Sequence, residues 1–136
     1  MIITICTVTT LTFTSSPAAS TTVRVGIDSQ PFTIPFTVTQ VPACGKTVSF
    51  SHTPTTPAFV TLTSLTATGG NVQVTGATIA NHNTYSFVLT AAVDAQSITS
   101  NFNVVIKDPC STSIFETTPA PFVDMNVSLP SVATST

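Results

Sequence analysis

The sequence predicts an all-β protein folded as a Greek-key β-sandwich, and three observations indicate this. Apolar residues alternate with polar ones over several short segments, a spacing that places one row of side chains on one face of a strand. Threonine and valine are abundant, with 29 Thr among 136 residues, and β-branched residues favour strands over helices. No window keeps apolar residues at positions i, i+3, i+4 and i+7 for long enough to form a helix.

The clearest pattern is a pair of strands on either side of residue 95. Residues 85–93 and 98–106 both alternate, and the polar residues 94–97 between them are typical of a short turn, so the two segments predict an antiparallel hairpin. Asp108-Pro109 should end the second strand, because proline has no N–H to donate to a ladder and restricts the residue before it. The apolar row of this hairpin consists of Tyr85, Phe87, Leu89, Ala91, Val93, Ile98, Phe102, Val104 and Ile106.

Further strands are predicted at residues 7–14, 22–27, 32–40, 48–50, 58–65 and 72–74. Several short strands at this spacing fit a Greek-key sandwich better than a closed barrel. Pro35 should face away from the apolar row of its strand, which indicates an edge or a bulge. Residues 52–57 predict a loop, and Gly69-Gly70-Asn71 predicts a turn. The inward row is expected to hold Val23, Val25, Ile27, Phe32, Ile34, Phe36, Val38, Val60 and Leu62.

The segment after Cys6 is similar to the segment after Cys110. CTVTTLTFTSSPA parallels CSTSIFETTPAP, and TTVRVGIDSQP further on parallels FVDMNVSLP. The separation of Cys6 and Cys110 in the sequence is close to the roughly 100 residues of one sandwich domain. The sequence therefore predicts slightly more than one period of a tandem array. Chance similarity in a threonine-rich sequence is the alternative. The predicted division is residues 1–20 as the end of a preceding repeat and a linker strand, residues 21–109 as the sandwich, and residues 110–136 as a linker strand and the start of the next repeat.

Two stretches resemble immunoglobulin-like (Ig-like) and cadherin-like repeats. The first is V-x-V-G, then a proline, the F-x-I-x-F of residues 32–36, and Cys44-Gly45; the second is Y-x-F-x-L-x-A followed by F-x-V-x-I-x-D-P-C. They are most similar to tandem repeats of very large extracellular proteins of protists and algae, including filament and flagellar-hair (mastigoneme) components. The resemblance covers about residues 6–110 and implies an Ig-like sandwich. The acidic clusters of cadherins are missing from the sequence, so their calcium binding is not carried over.

In a chain with the composition of an extracellular protein, three cysteines leave one over after pairing. In a seven-strand sandwich the second strand ends where the first begins, which places Cys44 at the same end as Cys6. Cys110 follows the last strand and lies at the opposite end. We therefore favour a Cys6–Cys44 disulfide and expect Cys110 to pair with the next repeat or subunit. A Cys44–Cys110 disulfide and free thiols are the alternatives.

Sugars are a further possibility. Asn126 begins the single N-x-S/T sequon, and an unmodified surface asparagine is the alternative. Serine or threonine precedes proline at four places, which is typical either of O-glycosylation or of ordinary loops. These places are Ser16-Pro17, Thr53-Pro54, Thr56-Pro57 and Thr118-Pro119.

Composition argues against nucleic acid and a membrane span. Only Arg24, Lys46 and Lys107 are basic and the net charge is −2, which leaves little to bind phosphate. No run of about 18 apolar residues exists, so no transmembrane helix is expected.

No catalytic, cofactor or metal site emerges, and we do not expect an enzyme. His52 and His82 stand in polar segments without a Cys, His or Asp partner at metal-binding spacing, so solvated loop histidines are expected. The carboxylates are dispersed: Asp28, Asp94, Asp108, Glu116 and Asp124.

The expected function is structural and extracellular. A hydroxyl-rich surface with 6% charged residues lacks the repulsion that keeps ordinary domains apart. Extended terminal segments are expected to add to the edge of a neighbouring copy, giving head-to-tail assembly. An adhesin or carbohydrate-binding module at the cell surface and a virion fibre protein are the alternatives. The expected partners are copies or repeats of the same protein, and glycans.

Overall fold

A computed structural model describes residues 2–110 of the chain. It contains eight strands and one short 3-10 turn at Ile79–Asn81. The strands are β1 (Thr10–Ser15), β2 (Ser20–Arg24), β3 (Phe32–Val41), β4 (Ser49–Thr53), β5 (Val60–Thr66), β6 (Gly69–Val74), β7 (Asn83–Val93) and β8 (Gln96–Lys107).

The strands form two four-stranded sheets. One sheet has the order β1-β3-β6-β5 and is antiparallel throughout, and the other has the order β2-β8-β7-β4, in which only β2 runs parallel to its neighbour. The chain crosses from the first sheet to the second between β1 and β2, at the buried Pro17. This arrangement is an Ig-like Greek-key β-sandwich, so the predicted fold class is confirmed.

The predicted hairpin is formed by β7 and β8. Pairing runs from Val93↔Gln96 to Asn83↔Ile106, so the turn contains only Asp94 and Ala95 and is shorter than predicted. Asp94 takes a positive φ of 52°, which aspartate tolerates better than most residues and which two-residue hairpin turns require.

The apolar rows meet between the sheets. Phe87 stacks on Phe102 with ring centroids 5.3 Å apart, and Phe36 meets Phe50 edge-on at 5.1 Å. Most of the predicted inward residues are buried or half-buried. Ile27 is the exception at 57% exposure, because β2 ends at Arg24 and a turn follows.

The first strand belongs to the sandwich, in contrast to the predicted boundary at residue 20. β1 pairs with residues 37–41 of β3, and the side chains of Val8 and Leu11 are 1% and 3% exposed. Their apolar surface is covered by the sheets, which gives this segment a place in the described domain. Whether residues 1–5 continue a preceding repeat stays a prediction, and residues 111–136 lie outside the described part.

Gly69 and Gly70 lie in β6, not in a turn, and the turn comes earlier at Ala67-Thr68. β6 passes so close to β3 here that a Cβ at Gly69 would overlap the carbonyl oxygen of Phe36. The φ of Gly69 is +154°, a conformation that side chains disfavour. The glycine at residue 69 therefore indicates a close approach of two strands and not a turn.

Pro35 lies in an inner strand, on the part of β3 that β1 leaves uncovered. The N–H of Val38 donates to the carbonyl of Thr68 on the β6 side, and alternation along the strand then points the nitrogen of Pro35 to the open side. The predicted edge is therefore a local gap beside an inner strand.

Candidate assembly sites at the two poles

The two ends of the sandwich gather its chemically distinctive side chains. We call the end that holds Cys6, Cys44 and Asp94 the N pole, and the opposite end, with Arg24 and Cys110, the C pole. β8 connects the two, and its 12 residues span about 36 Å.

A disulfide joins Cys6 to Cys44 at the N pole, with the Cα atoms 5.6 Å apart. This is the pairing favoured from the sequence. It links the segment before β1 to the loop after β3. Because β1 and β3 are antiparallel neighbours, the start of β1 lies beside the end of β3. Cys110 lies at the far end of β8 and is exposed and unpaired in the described structure.

Asp94 ties three segments together at the N pole. One carboxylate oxygen accepts the backbone N–H of Val8 at 2.8 Å, and both oxygens accept hydrogen bonds from Lys46 Nζ at 2.7 and 2.8 Å. The Lys46 hydrogen bond, followed by that of Val8, lowers the pKa of Asp94 below its ordinary value. The hairpin turn, the loop after β3 and the segment before β1 are thereby fixed relative to one another.

Replacement of Asp94 by asparagine tests this contact through its pH dependence. The folded-state pKa is lowered, so the ion pair stabilises the fold above the unfolded carboxyl pKa of about 3.9 and is lost as pH falls through the lower folded value. We expect Asp94→Asn to lower the unfolding midpoint at neutral pH, with the difference from wild type shrinking below about pH 4. Thermal melts from pH 7 to pH 2 measure this. A difference that is constant with pH would contradict the electrostatic explanation.

A buried glutamine supports the same end. Gln40 is 8% exposed and donates through Nε2 to the carbonyl oxygens of Lys46 and Ala67, while its Oε1 accepts the Lys46 N–H. Burying an amide without partners is costly, so these bonds hold the loop that carries Cys44 and Lys46.

The segment leading into the N pole is extended and unusually apolar for its exposure. Ile2, Ile3 and Ile5 are 95%, 76% and 78% exposed. They lie outside both sheets, one to four residues before the disulfide that anchors the segment. Apolar side chains in this position are available for contact with another molecule.

The C pole carries a second ion pair and the exposed thiol. Arg24 donates to Asp28 through its backbone N–H at 2.7 Å and its guanidinium at 2.8 Å. These bonds lower the pKa of Asp28, and they close the turn that ends β2. The backbone N–H of Cys110 donates to Asp108 at 2.8 Å.

Apart from Arg24 and Lys107 at the C-pole ends of β2 and β8, the outer faces of both sheets carry no charged side chain among residues 2–110. On the first sheet the hydroxyls of Thr14 and Thr37 hydrogen-bond at 2.8 Å. On the second sheet a shallow depression of about 550 Å³ is lined by the polar side chains of Ser86, Asn101 and Asn103 together with apolar groups that include Phe87 and Val88. The charges of the described part are instead confined to the poles: Arg24, Asp28, Lys46, Asp94, Lys107 and Asp108.

The histidines do not form a catalytic or metal-binding group. His52 lies in β4, not in a loop as predicted, and its ring packs edge-on against Phe87 at 5.6 Å while Nδ1 meets the carbonyl oxygen of Pro54 at 2.9 Å. His82 is exposed. Within residues 2–110, no group of three or more His, Cys, Asp or Glu side chains is positioned to hold a metal ion. Asn126, Glu116 and Asp124 lie outside the described residues.

Sequence reasoning missed the roles of Asp94, Lys46 and Gln40. Asp94 has the local signal of a turn residue, but its partner Lys46 is distant in sequence and nothing local indicates the pairing.

No helix in the described part of the chain is long and apolar enough to cross a membrane.

No protein-family model matches the chain, and neither does any curated protein sequence. Among solved structures, a chimeric titin Z1Z2 carrying an exogenous decorin peptide is similar, with a TM-score of 0.53 and 20% identity over 76% of this chain and 99% of that one. The titin M3 domain has a TM-score of 0.50 and 12% identity over 71% and 96% of the two chains. An endo-fucoidan hydrolase of glycoside hydrolase family 107 has a TM-score of 0.50 and 13% identity over 67% of this chain and 13% of its own. At such identities these likenesses show the fold, which is an Ig-like β-sandwich.

Proposed function

We propose that this chain is a structural module of an extracellular filament or cell-surface appendage, whose copies join head to tail through β-strand addition and disulfides. One observation carries the proposal. The described chain enters at one pole and leaves at the other, with exposed isoleucines at the entry and the exposed Cys110 thiol at the exit. A module with its ends at opposite poles extends a chain of modules in one direction.

The disulfide and the surface chemistry support this role. A Cys6–Cys44 disulfide is typical of proteins in oxidising environments such as the cell exterior. Uncharged sheet faces lack the mutual repulsion that keeps charged domains apart, which favours close packing of many copies. The similarity of the sequence motifs to repeats of protist and algal filament proteins points to the same setting.

The proposed role is not catalytic. The described residues offer two ion pairs with structural partners and a pair of separated histidines, none of which assembles a nucleophile with a base. The runner-up, carbohydrate binding, usually uses exposed aromatic rings. Tyr85, the only tyrosine, is instead half-buried and donates its hydroxyl proton to the carbonyl of Asn81, so no observation on the described residues favours this alternative or a virion fibre.

The test is the assembly state of the full chain. We expect purified protein to form rods that lengthen with concentration, with an axial repeat of about 40 Å set by the length of β8. Negative-stain electron microscopy and sedimentation velocity measure the repeat and the mass. Cys110→Ser is the matched variant: it removes disulfide links between copies and leaves Cys6–Cys44 intact. Compact monomers at every concentration, in both proteins, would overturn the proposal.

A further inference from the structure

Within residues 2–110, one strand edge of the sandwich has no partner strand. β2 pairs only with residues 103–107 of β8. The N-pole half of β8, residues 96–102, therefore pairs with β7 on one side and with no described strand on the other, although β1 of the opposite sheet lies close to it. The side chains of Ser97, Thr99 and Asn101 are exposed. We call residues 97–101 the β8 gap.

The backbone of the β8 gap points its free hydrogen-bonding groups outward. The N–H of Asn103 donates to the carbonyl of Ala19 on the β2 side at 3.0 Å. Because backbone groups alternate in direction along a strand, the N–H and C=O groups of Ser97, Thr99 and Asn101 face the same way. From residue 103 onward, the backbone groups on this side of β8 pair with β2. Within the gap, they have no partner among the described strands.

Three of the other edges carry features that discourage pairing. The gap beside β3 contains Pro35, which has no N–H to donate toward the open side. β4 has only five residues and is followed by Pro54. β5 is interrupted by a register shift and by Ser64 at a positive φ of 52°. Prolines and irregularities are common means of protecting an edge, and the β8 gap contains neither.

We propose that the β8 gap receives an extended segment from residues 111–136 of a second copy of this chain, added parallel to β8. This inference rests on the proposed head-to-tail function and identifies its site. In that arrangement the C pole of the preceding copy, where its residues 111–136 begin, faces the N pole that contains the gap. The 26 residues after Cys110 span up to about 90 Å if extended, more than the length of one module.

The sequence of the donor segment matches the partner that β8 already has. Apolar residues alternate at Val123, Met125, Val127 and Leu129, and this stretch parallels residues 21–31, which include most of β2. β2 is the strand that pairs parallel with the other half of β8. A second β2-like strand would extend that pairing toward the N pole through up to six backbone hydrogen bonds from residues 97, 99 and 101.

A proline at Thr99 tests the gap without breaking the sheet. Thr99 pairs with Thr90 of β7, but its own N–H points into the gap, so Thr99→Pro removes a gap donor while the β7–β8 ladder keeps its bonds. Thr99→Ala is the matched control, because it removes the same side chain and keeps the N–H. Both are made in full-length Cys110→Ser protein, so that disulfides do not contribute, and the fold of each is checked by circular dichroism.

We expect Thr99→Pro to weaken association by about tenfold or more in sedimentation equilibrium, and Thr99→Ala to leave it unchanged. Hydrogen exchange should show protection of residues 97–101 at high protein concentration, lost in Thr99→Pro. If the parent protein assembles and the proline variant assembles equally well, the β8 gap is not the site, although the head-to-tail function stands. If the parent remains monomeric and the gap is unprotected, the proposed function itself fails. Protection of the gap in a monomer would place the chain's own tail there and would also overturn the inference.

Discussion

Loss of the Cys6–Cys44 disulfide should lower the free energy of unfolding by roughly 4 kcal/mol, from loop-closure entropy. The bond closes a loop across a sequence separation of 38 residues, and opening that loop gives the unfolded chain more conformations. The double variant Cys6→Ser/Cys44→Ser is compared with wild type by urea denaturation. Cys110→Ser is the control and should change stability by less than about 0.5 kcal/mol, because Cys110 is exposed and unpaired. Equal stability of the double variant and the control would contradict this.

The same bond determines which strands bear load when the ends are pulled apart. Tension that enters before Cys6 passes through the disulfide to Cys44, so β1, β2 and β3 lie inside a closed loop and are bypassed. Reduction releases the 38-residue loop and should add about 130 Å to the extended length of the unfolded module. Optical-tweezer unfolding with and without reductant measures this increment. An unchanged increment would show that the bond is absent in solution.

Replacement of Gly69 by alanine should have an effect of similar size, roughly 3 kcal/mol, from backbone strain added to overpacking. The new methyl group would overlap the carbonyl oxygen of Phe36, and the φ of +154° disfavours a side chain. Neither the backbone of β3 nor that of β6 can retreat without disturbing the pairing between them. Thermal and chemical unfolding measure the loss.

Gly76→Ala is the matched control for Gly69→Ala. Gly76 also has a positive φ, of +75°, but a Cβ there meets nothing within 4 Å. It should therefore cost only the strain of the backbone conformation, about 1 kcal/mol. Equal losses from the two substitutions would show that close approach of β3 and β6 is not what requires glycine at residue 69.

The sequence predicts the fold well where the pattern is local and regular. Alternation from Tyr85 to Ile106 is enough to predict β7, β8 and the hairpin, since one period-two row must face the core. The order of the strands along the chain similarly favours the Cys6–Cys44 disulfide, because it determines at which end of the sandwich each cysteine lies. The same reasoning places Cys110, which follows the last strand, at the opposite end.

Long-range contacts are what local patterns leave out. Residues 7–14 show the alternation of a strand but do not reveal its partner: β1 lies against β3, which begins 17 residues after β1 ends. Asp94 shows only turn character, although Lys46 and the Val8 N–H determine its role. Gly69 indicates a turn by composition, while the neighbouring Phe36 backbone is the actual reason for glycine. Each of these depends on a partner brought close only by the folded topology.

If copies join as proposed, largely uncharged sheet faces and charged poles would give the fibre an unusual response to its medium. Dissolved ions screen charges over about 8–10 Å at ordinary salt concentrations, and they have little to act on along hydroxyl-covered sides. Hydration of those sides depends on hydrogen bonding to water and should be nearly the same in fresh water and in brine. Ionic strength would then act chiefly at the two poles, where Lys107, Asp108, Lys46 and Asp94 lie.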